Sequence, residues 1–331
     1  MKKQEFKSTP TSDASRPTLA HRISRFTPRP LVRMLRPKWH LIREMMSFWF
    51  SRGGRLTWES DLRCWQAKLK LPLATLYVPV RSYRNLRQIT QFGADPKSLV
   101  FDWMNAIDDC EMLYDIGASN GYEGMYTHGA HNCRVASVEM FVPSVENILL
   151  ATVMSERQGM DMSKIDVMLG ACDSEPSYKK LKIHNLPVAG GTYNTFDDVE
   201  EYCRGGRAEE PVFASHWSPA VSIDSLHGDL GLPTPTHIKI DVDGFEGRVM
   251  RGAANTLAAR HVRQWIIEIS PEHESEISQL MEQHGYLEIA HHEHYPGEND
   301  CIDRIYVRDD VVDGARKALE KSQQMLKRLR R

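Results

Sequence analysis

The chain has no apolar run approaching the ~18–20 residues needed to cross a bilayer as a helix, and its first stretch, MKKQEFKSTPTSDASRPT, lacks the apolar core of a secretory leader. A helical membrane protein is thereby set aside, and a cytoplasmic setting is the expectation. Six cysteines (Cys64, Cys110, Cys133, Cys172, Cys203 and Cys301) lie scattered, with no C-x-x-C pair and no zinc-ligand spacing. Free thiols are therefore expected, and a zinc module is not. No G-x-G-x-x-G occurs either, so the fingerprint of a dinucleotide site is missing.

What is present is an ordinary globular composition, 41% hydrophobic and 26% charged over 331 residues. That length suits one large domain with an extension, or two domains. A net charge of -2 conceals an asymmetry: residues 1–100 carry 20 Lys/Arg against 6 Asp/Glu, and residues 311–331 carry 7 against 2. Basic ends around an acidic body suit contact with an anionic membrane surface, a nucleic acid or an acidic glycan, or else are solvated tails. Residues 1–30, with Pro10, Pro17, Pro28 and Pro30 and no periodicity, read as a mobile basic tail. Residues 31–94 read as a helical N-terminal extension. Its segment LVRMLRPKWHLIREMMSFWF can lie on anionic lipid or pack on the main domain. Residues 311–331 read as a basic C-terminal helix.

From Glu111 onward strands and helices alternate, the pattern of a parallel sheet with crossover helices. The strands are MLYDIG, RVASVE, KIDVMLGA, HIKIDVDG, QWIIEIS, YLEIA and IDRIYVRD, the last two pairing with each other. Residues 174–226 interrupt the alternation with aromatics and loop residues, including His216 and Trp217. An insertion of this kind is expected to shape an acceptor pocket, or simply to extend the sheet.

YDIGASNGYEG follows the first of these strands and opens a helix. Gly117 and Gly121 let backbone approach a ligand, and Ser119 and Asn120 lie between them. Asp115 would repel a pyrophosphate but suits a cationic ligand such as S-adenosylmethionine. Glu139, at the end of the second strand, is placed to accept both ribose hydroxyls, and Asp173 to accept the adenine amino group. In HIKIDVDG, strand alternation puts Lys239, Asp241 and Asp243 on one face, at the carboxyl end of a strand where ligands of open α/β sheets bind. A carboxylate there can orient a hydroxyl and take its proton, with Lys239 holding the carboxylate or stabilising an alkoxide. Asp241, Asp243 and Glu268 can alternatively bind Mg²⁺. The metal-free reading is preferred, because one carboxylate pair does not define a metal site. Glu246 suits the first turn of a helix and is given no role. His291, His292 and His294 suit the wall of the acceptor pocket better than a metal site.

With those residues in hand, the chain resembles the FkbM-type S-adenosylmethionine-dependent methyltransferases over about residues 95–308. DIGASNGYEG is similar to that family's cofactor loop and VEMFVPSVENILL to its second-strand acid and helix. SIDSL, HIKIDVDGFEGRVMRGA and WIIEIS are similar to its most specific stretches. Asp243 stands where the family usually has glutamate, and Pro143 falls four residues after Glu139, a departure from the commoner spacing. The resemblance implies a class I, Rossmann-like seven-stranded sheet, mostly parallel with its last strand antiparallel and helices on both faces. It also implies O-methylation of a sugar or secondary-metabolite hydroxyl. An RNA ribose O-methyltransferase and a non-catalytic membrane-docking scaffold are the alternatives. Base N-methylation and cytosine C5 chemistry lack their Pro-Pro-aromatic and Pro-Cys elements in this chain.

Overall fold

The computed structural model describes residues 54–95, 98–107, 109–184, 194–196, 211–294 and 301–329. The expected mobile tail and the LVRMLRPKWHLIREMMSFWF segment lie outside the described residues. No described helix is long and apolar enough to cross a membrane.

The first described elements correct the helical expectation for the N-terminal extension. β1 (Arg55–Glu59), β2 (Cys64–Lys70) and β3 (Thr75–Val80) form an antiparallel meander, and among the described residues of the extension only α1 (Tyr83–Gln91) is helical. The reason is visible in CWQAKLK and TLYVPV, which alternate buried and accessible positions with a period near two. Leu69, Leu76, Val78 and Ile89 from this region share one core with Leu113, Met125 and Tyr126 further along the chain. α2 (Leu99–Ala106) follows, capped by the Ser98 hydroxyl.

The central sheet is built from β4 (Met112–Ile116), β5 (Arg134–Glu139), β6 (Ile165–Leu169), β11 (His237–Ile240), β12 (Gln264–Ile269), β13 (Tyr286–Glu293) and β14 (Ile302–Arg308). Their order is β13-β14-β12-β11-β4-β5-β6. The β11–β12, β11–β4, β4–β5 and β5–β6 pairs are parallel, and β14 runs antiparallel to both of its neighbours. This is the Rossmann-like sheet with a reversed last strand. The strands MLYDI and HIKI are buried on both faces, and their polar groups Asp115, His237 and Lys239 are buried with them.

α3 (Tyr122–His131) and α4 (Val142–Glu156) make the first two crossovers. The stretch GFEGRVMRGAANTLAA is two short helices, α6 (Glu246–Arg251) and α7 (Ala254–Ala259), because the chain bends at Gly252. A Cβ at Gly252 would lie 2.2 Å from the Asp173 carbonyl oxygen, so only glycine admits that approach. α8 (Glu274–Gln283) leads into β13, and α9 (Val312–Leu329) closes the chain, burying Ala315, Leu319 and Leu326, with its Ser322 hydroxyl donating to the Asp102 carbonyl at 2.8 Å.

The insertion forms its own small sheet of β7 (Ala171–Cys172), β8 (Ser177–Ile183), β9 (Thr195–Phe196) and β10 (Ala214–Val221), in the order β7-β10-β8-β9. It ends before SIDSL, where Ser222 and Ser225 form a reciprocal cap on α5 (Ile223–Gly228). Residues 185–193 and 197–210 of the insertion lie outside the described residues.

The free-thiol expectation is corrected at one pair: Cys110 and Cys133 are joined as a disulfide, with Cα atoms 5.4 Å apart. Each precedes one of two adjacent strands, and the Met112–Arg134 register of β4 and β5 brings them side by side. Cys64, Cys172 and Cys301 are free and buried, and Cys203 lies outside the described residues.

Candidate active site

A cavity of about 660 Å³ opens at the carboxyl ends of β4, β5, β11 and β12. Its wall begins with the glycine turn. Gly117 has φ +73°, and a Cβ there would lie 1.8 Å from the Asp241 carbonyl oxygen. That turn is possible only because β11 leaves the sheet directly against a residue with no side chain. Ser119 follows at φ +48°, and Gly121 then opens α3.

Glu139 holds this turn in place. One carboxylate oxygen accepts the Ser119 N–H and the other the Phe141 N–H, both at 2.7 Å. Each oxygen keeps a second lone pair for a hydroxyl. Burial pushes the Glu139 carboxyl up to about 7, against the pull of those two hydrogen bonds. Glu123, in the first turn of α3, is likewise pushed up to about 7 by burial, with Lys239 opposing and Asp115 adding to the rise. Nothing in the spacing of the glycine turn marks Glu123. The same holds for Gln88 of α1, which lines the cavity and accepts the Asn120 amide N–H at 2.8 Å. The Asn120 oxygen accepts from Asn147 at 3.0 Å, so this amide braces the loop.

Asp115 is not the cavity-facing acid that its place at the strand end suggests. Asp115 is wholly buried beneath the turn and does not line the cavity. Its Oδ2 accepts the Gly124 N–H at 3.2 Å, and its Oδ1 lies 3.2 Å from Lys239 Nζ. The cation it meets is the protein's own lysine. Lys239 also donates to the Gly117 carbonyl at 3.0 Å and reaches Asp241 at 3.9 Å. Burial alone would lower the Lys239 ammonium, but Asp115, Asp241 and Glu123 outweigh it and hold the pKa above the ordinary lysine range. Lys239 is therefore a fixed positive charge under the turn.

Asp173 is a correction. It does not line the cavity, and both of its oxygens are taken. Arg248 of α6 grips it with two hydrogen bonds of 2.8 and 2.7 Å, and Lys179 of β8 meets it at 2.7 Å. Burial would raise its pKa, yet the two cations hold it below the usual carboxylate range. Asp173 ties the small sheet to α6 and is not available to an adenine.

The assumed alternation through HIKIDVDG also stops early. β11 ends at Ile240, and Asp243 adopts φ +52° in a turn completed by Gly244. Asp241 and Asp243 both line the cavity even so, and Asp241 has about half of its side chain exposed. Glu246 is fully buried outside the cavity, accepting the Gly244 N–H at 2.7 Å, and burial raises its pKa. It shapes the turn.

Of the insertion, Ala171, Cys172, Asn194 and Phe196 reach the cavity wall, whereas His216 and Trp217 do not. His292 and His294 line the cavity while His291 pairs with Glu288 at 2.7 Å. Glu268 and Asp303 complete that side.

The electrostatics of the cavity follow from this inventory. Seven carboxylate residues line it, from Asp95, Glu123 and Glu139 to Asp241, Asp243, Glu268 and Asp303, while Lys239 is the single lysine or arginine among the described lining residues. Such a cavity repels phosphates and favours cations and neutral polyols.

Residues 175–288 match the family model described as the methyltransferase FkbM domain. That match spans 114 of the chain's 331 residues, from the small sheet to the start of β13. No curated protein sequence matches the chain. Among solved structures it is similar to magnesium protoporphyrin IX methyltransferase from Synechocystis PCC 6803, at 11% identity and TM-score 0.36, covering 67% of this chain and 83% of that one. It is also similar to precorrin-6y C5,15-methyltransferase from Geobacter metallireducens GS-15, at 11% identity and TM-score 0.34, over 63% of this chain and 86% of that one. An rRNA methylase from Streptococcus thermophilus aligns at 8% identity and TM-score 0.37, over 65% of this chain and 96% of that one. At these scores the likenesses say nothing about substrate.

Proposed function

We propose that the protein transfers a methyl group from S-adenosylmethionine to a hydroxyl of a neutral, polyhydroxylated acceptor such as a sugar. The observation that carries this reading is the charge of the cavity: among the described lining residues, seven are acidic and one is a lysine. S-adenosylmethionine supplies an electrophilic methyl on a sulfonium, and it brings an ammonium but no phosphate. A dinucleotide would set its pyrophosphate among these acids. An RNA acceptor would meet the same repulsion, which weighs against the ribose reading.

The residues present fit the methyl donor. Gly117 lets the turn pass directly against the Asp241 carbonyl, and Gly117, Ser119 and Asn120 line the cavity there. Glu139, fixed by two backbone N–H groups, is placed to accept ribose hydroxyls. Glu123 adds negative charge next to the turn. Lys239 pairs with Asp115 and fixes the carbonyl of Gly117, so it acts as a positioning residue.

Asp241 is the group for the acceptor. Its carboxylate stands in the cavity where β11 ends, partly open to solvent. A carboxylate can accept the hydrogen bond of a neutral hydroxyl, orient its lone pair and receive its proton as the new C–O bond forms. Lys239 Nζ lies 3.9 Å from this carboxylate. Asp243, turned by its left-handed backbone, lines the same end and would bind further hydroxyls of the acceptor.

The test is methyl transfer from radiolabelled S-adenosylmethionine to matched acceptors: neutral monosaccharide glycosides, their phosphorylated forms, and RNA. Label on the neutral glycosides, lost in Asp241→Asn, is the expected result. Label on RNA or on phosphorylated sugars alone would overturn the acceptor assignment.

A further inference from the structure

The histidine side of the cavity holds an arrangement that hydroxyl binding alone does not require. In the antiparallel register, Glu268 of β12 lies opposite Asp303 of β14, and Asp303 lies opposite His292 of β13. Residues level with one another on adjacent strands point to the same face, and all three line the cavity. His294 comes two residues after His292, and its N–H continues the hairpin by donating to the Cys301 carbonyl at 3.4 Å. Its ring returns to the same face, 5.8 Å from that of His292.

The contacts then converge on one atom. His294 Nε2 lies 3.2 Å from an Asp303 oxygen and 3.6 Å from a Glu268 oxygen. Both carboxylates thus converge on a single imidazole nitrogen. Asp303 is only 6% exposed, and His294 is its sole polar partner among the described residues. A buried carboxylate with so little compensation is costly. A cation held between the three groups would resolve this. Two donors about 2.1 Å from one tetrahedral ion lie roughly 3.4 Å apart, and the two observed separations bracket that value.

We propose that Glu268, His294 and Asp303 form a binding site for a divalent transition-metal ion. The imidazole distinguishes it from an all-oxygen magnesium site, because nitrogen ligands favour manganese, iron, cobalt or zinc. The donor atoms of Glu268, His294 and Asp303 lie within 4.8 Å of one another, as do those of Asp241, Asp243 and Glu268. Glu268 is common to both sets, so the ion's open positions face the acids assigned to the acceptor. A hydroxyl bound there would lose its proton more readily. That use rests on the proposed acceptor chemistry, whereas the site itself does not.

The experiment is a titration of EDTA-treated, dialysed full-length protein with MnCl₂ in the absence of any methyl donor. Free Mn²⁺ is read by electron paramagnetic resonance. The expected result is one ion per chain, with affinity falling at least tenfold in both His294→Ala and Asp303→Asn and unchanged in His291→Ala. A cooperative melt establishes that each variant is folded, and an excess of Mg²⁺ should not displace the ion. The assignment is overturned if folded wild type takes up no stoichiometric Mn²⁺. It is equally overturned if either folded variant binds as well as wild type, or if Mg²⁺ competes on equal terms. Because no donor is present, failure here leaves the methyl-transfer reading untouched, and failure of that reading leaves this result interpretable.

Discussion

The two halves of the cavity are built by different means. Around β4 and β5 the wall is backbone-wired: the Ser119 and Phe141 amides end on Glu139, the Gly124 amide ends on Asp115, and Lys239 ends on the Gly117 carbonyl. Around β12, β14 and β13 it is side chains from three strands, Glu268, Asp303, His292 and His294, brought level by antiparallel register. On the proposed reading the first half would hold the methyl donor, and the second would carry the chemistry specific to the acceptor.

Gly117→Ala should break the first half outright. The new methyl group would overlap the Asp241 carbonyl, in a left-handed conformation that alanine resists, and the expected cost is about 3 kcal/mol or more. Loss of S-adenosylhomocysteine binding, with a lowered melting temperature, checks it. Asp241→Asn should instead spare donor binding while reducing kcat by about 10²–10⁴-fold, measured by steady-state transfer beside calorimetric titration of the donor.

Asp173→Asn tests the correction to the adenine assignment. It leaves Arg248 and Lys179 around a neutral amide, and an order of 2–4 kcal/mol of stability should be lost, discounted for partial exposure of the cations. The donor dissociation constant should be unchanged. The pH dependence has a defined sign: the Asp173 pKa is depressed in the folded state, so its stabilisation is present above the unfolded value and lost as pH falls through the folded one.

Glu139 and Glu123 behave the other way. Both are raised to about 7 in the folded protein, so the folded state holds protons that the unfolded state has released. Their presence reduces stability progressively as pH rises from the unfolded carboxylate value towards 7. A cationic donor favours their ionised forms, so binding should release protons and tighten as pH rises from about 5.5 to 8, by at most roughly tenfold per unit for each acid. Glu139→Gln should weaken donor binding by about 10- to 100-fold, the worth of hydrogen bonds to a charged acceptor. It should also flatten the pH profile.

The backbone-wired half was the more legible in the sequence. A glycine turn after a buried strand, followed by an acid at the end of the next strand, involves local spacing, and Gly117, Ser119 and Glu139 stand where that spacing put them. Asp115 and Asp173 were misjudged because a strand-end acid looks the same whether it faces a ligand or an ion pair. Their cations, Lys239, Lys179 and Arg248, come from elsewhere in the chain. The pairing of Glu268 with Asp303 depends on antiparallel register across 35 positions of sequence, which periodicity cannot supply. The meander over β1–β3 was missed when basic and aromatic residues were read as a continuing helix, although CWQAKLK and TLYVPV carry a strand period.

The central claim is that this cavity binds the cationic methyl donor through its acids. The most direct test is calorimetric titration of the full-length protein with S-adenosylmethionine at pH 5.5, 6.5 and 7.5, in buffers of differing ionisation enthalpy. The account predicts one site per chain, affinity increasing with pH, and protons released to the buffer near neutrality. Absence of binding by folded protein, or binding with no proton release and no dependence on pH, would contradict it.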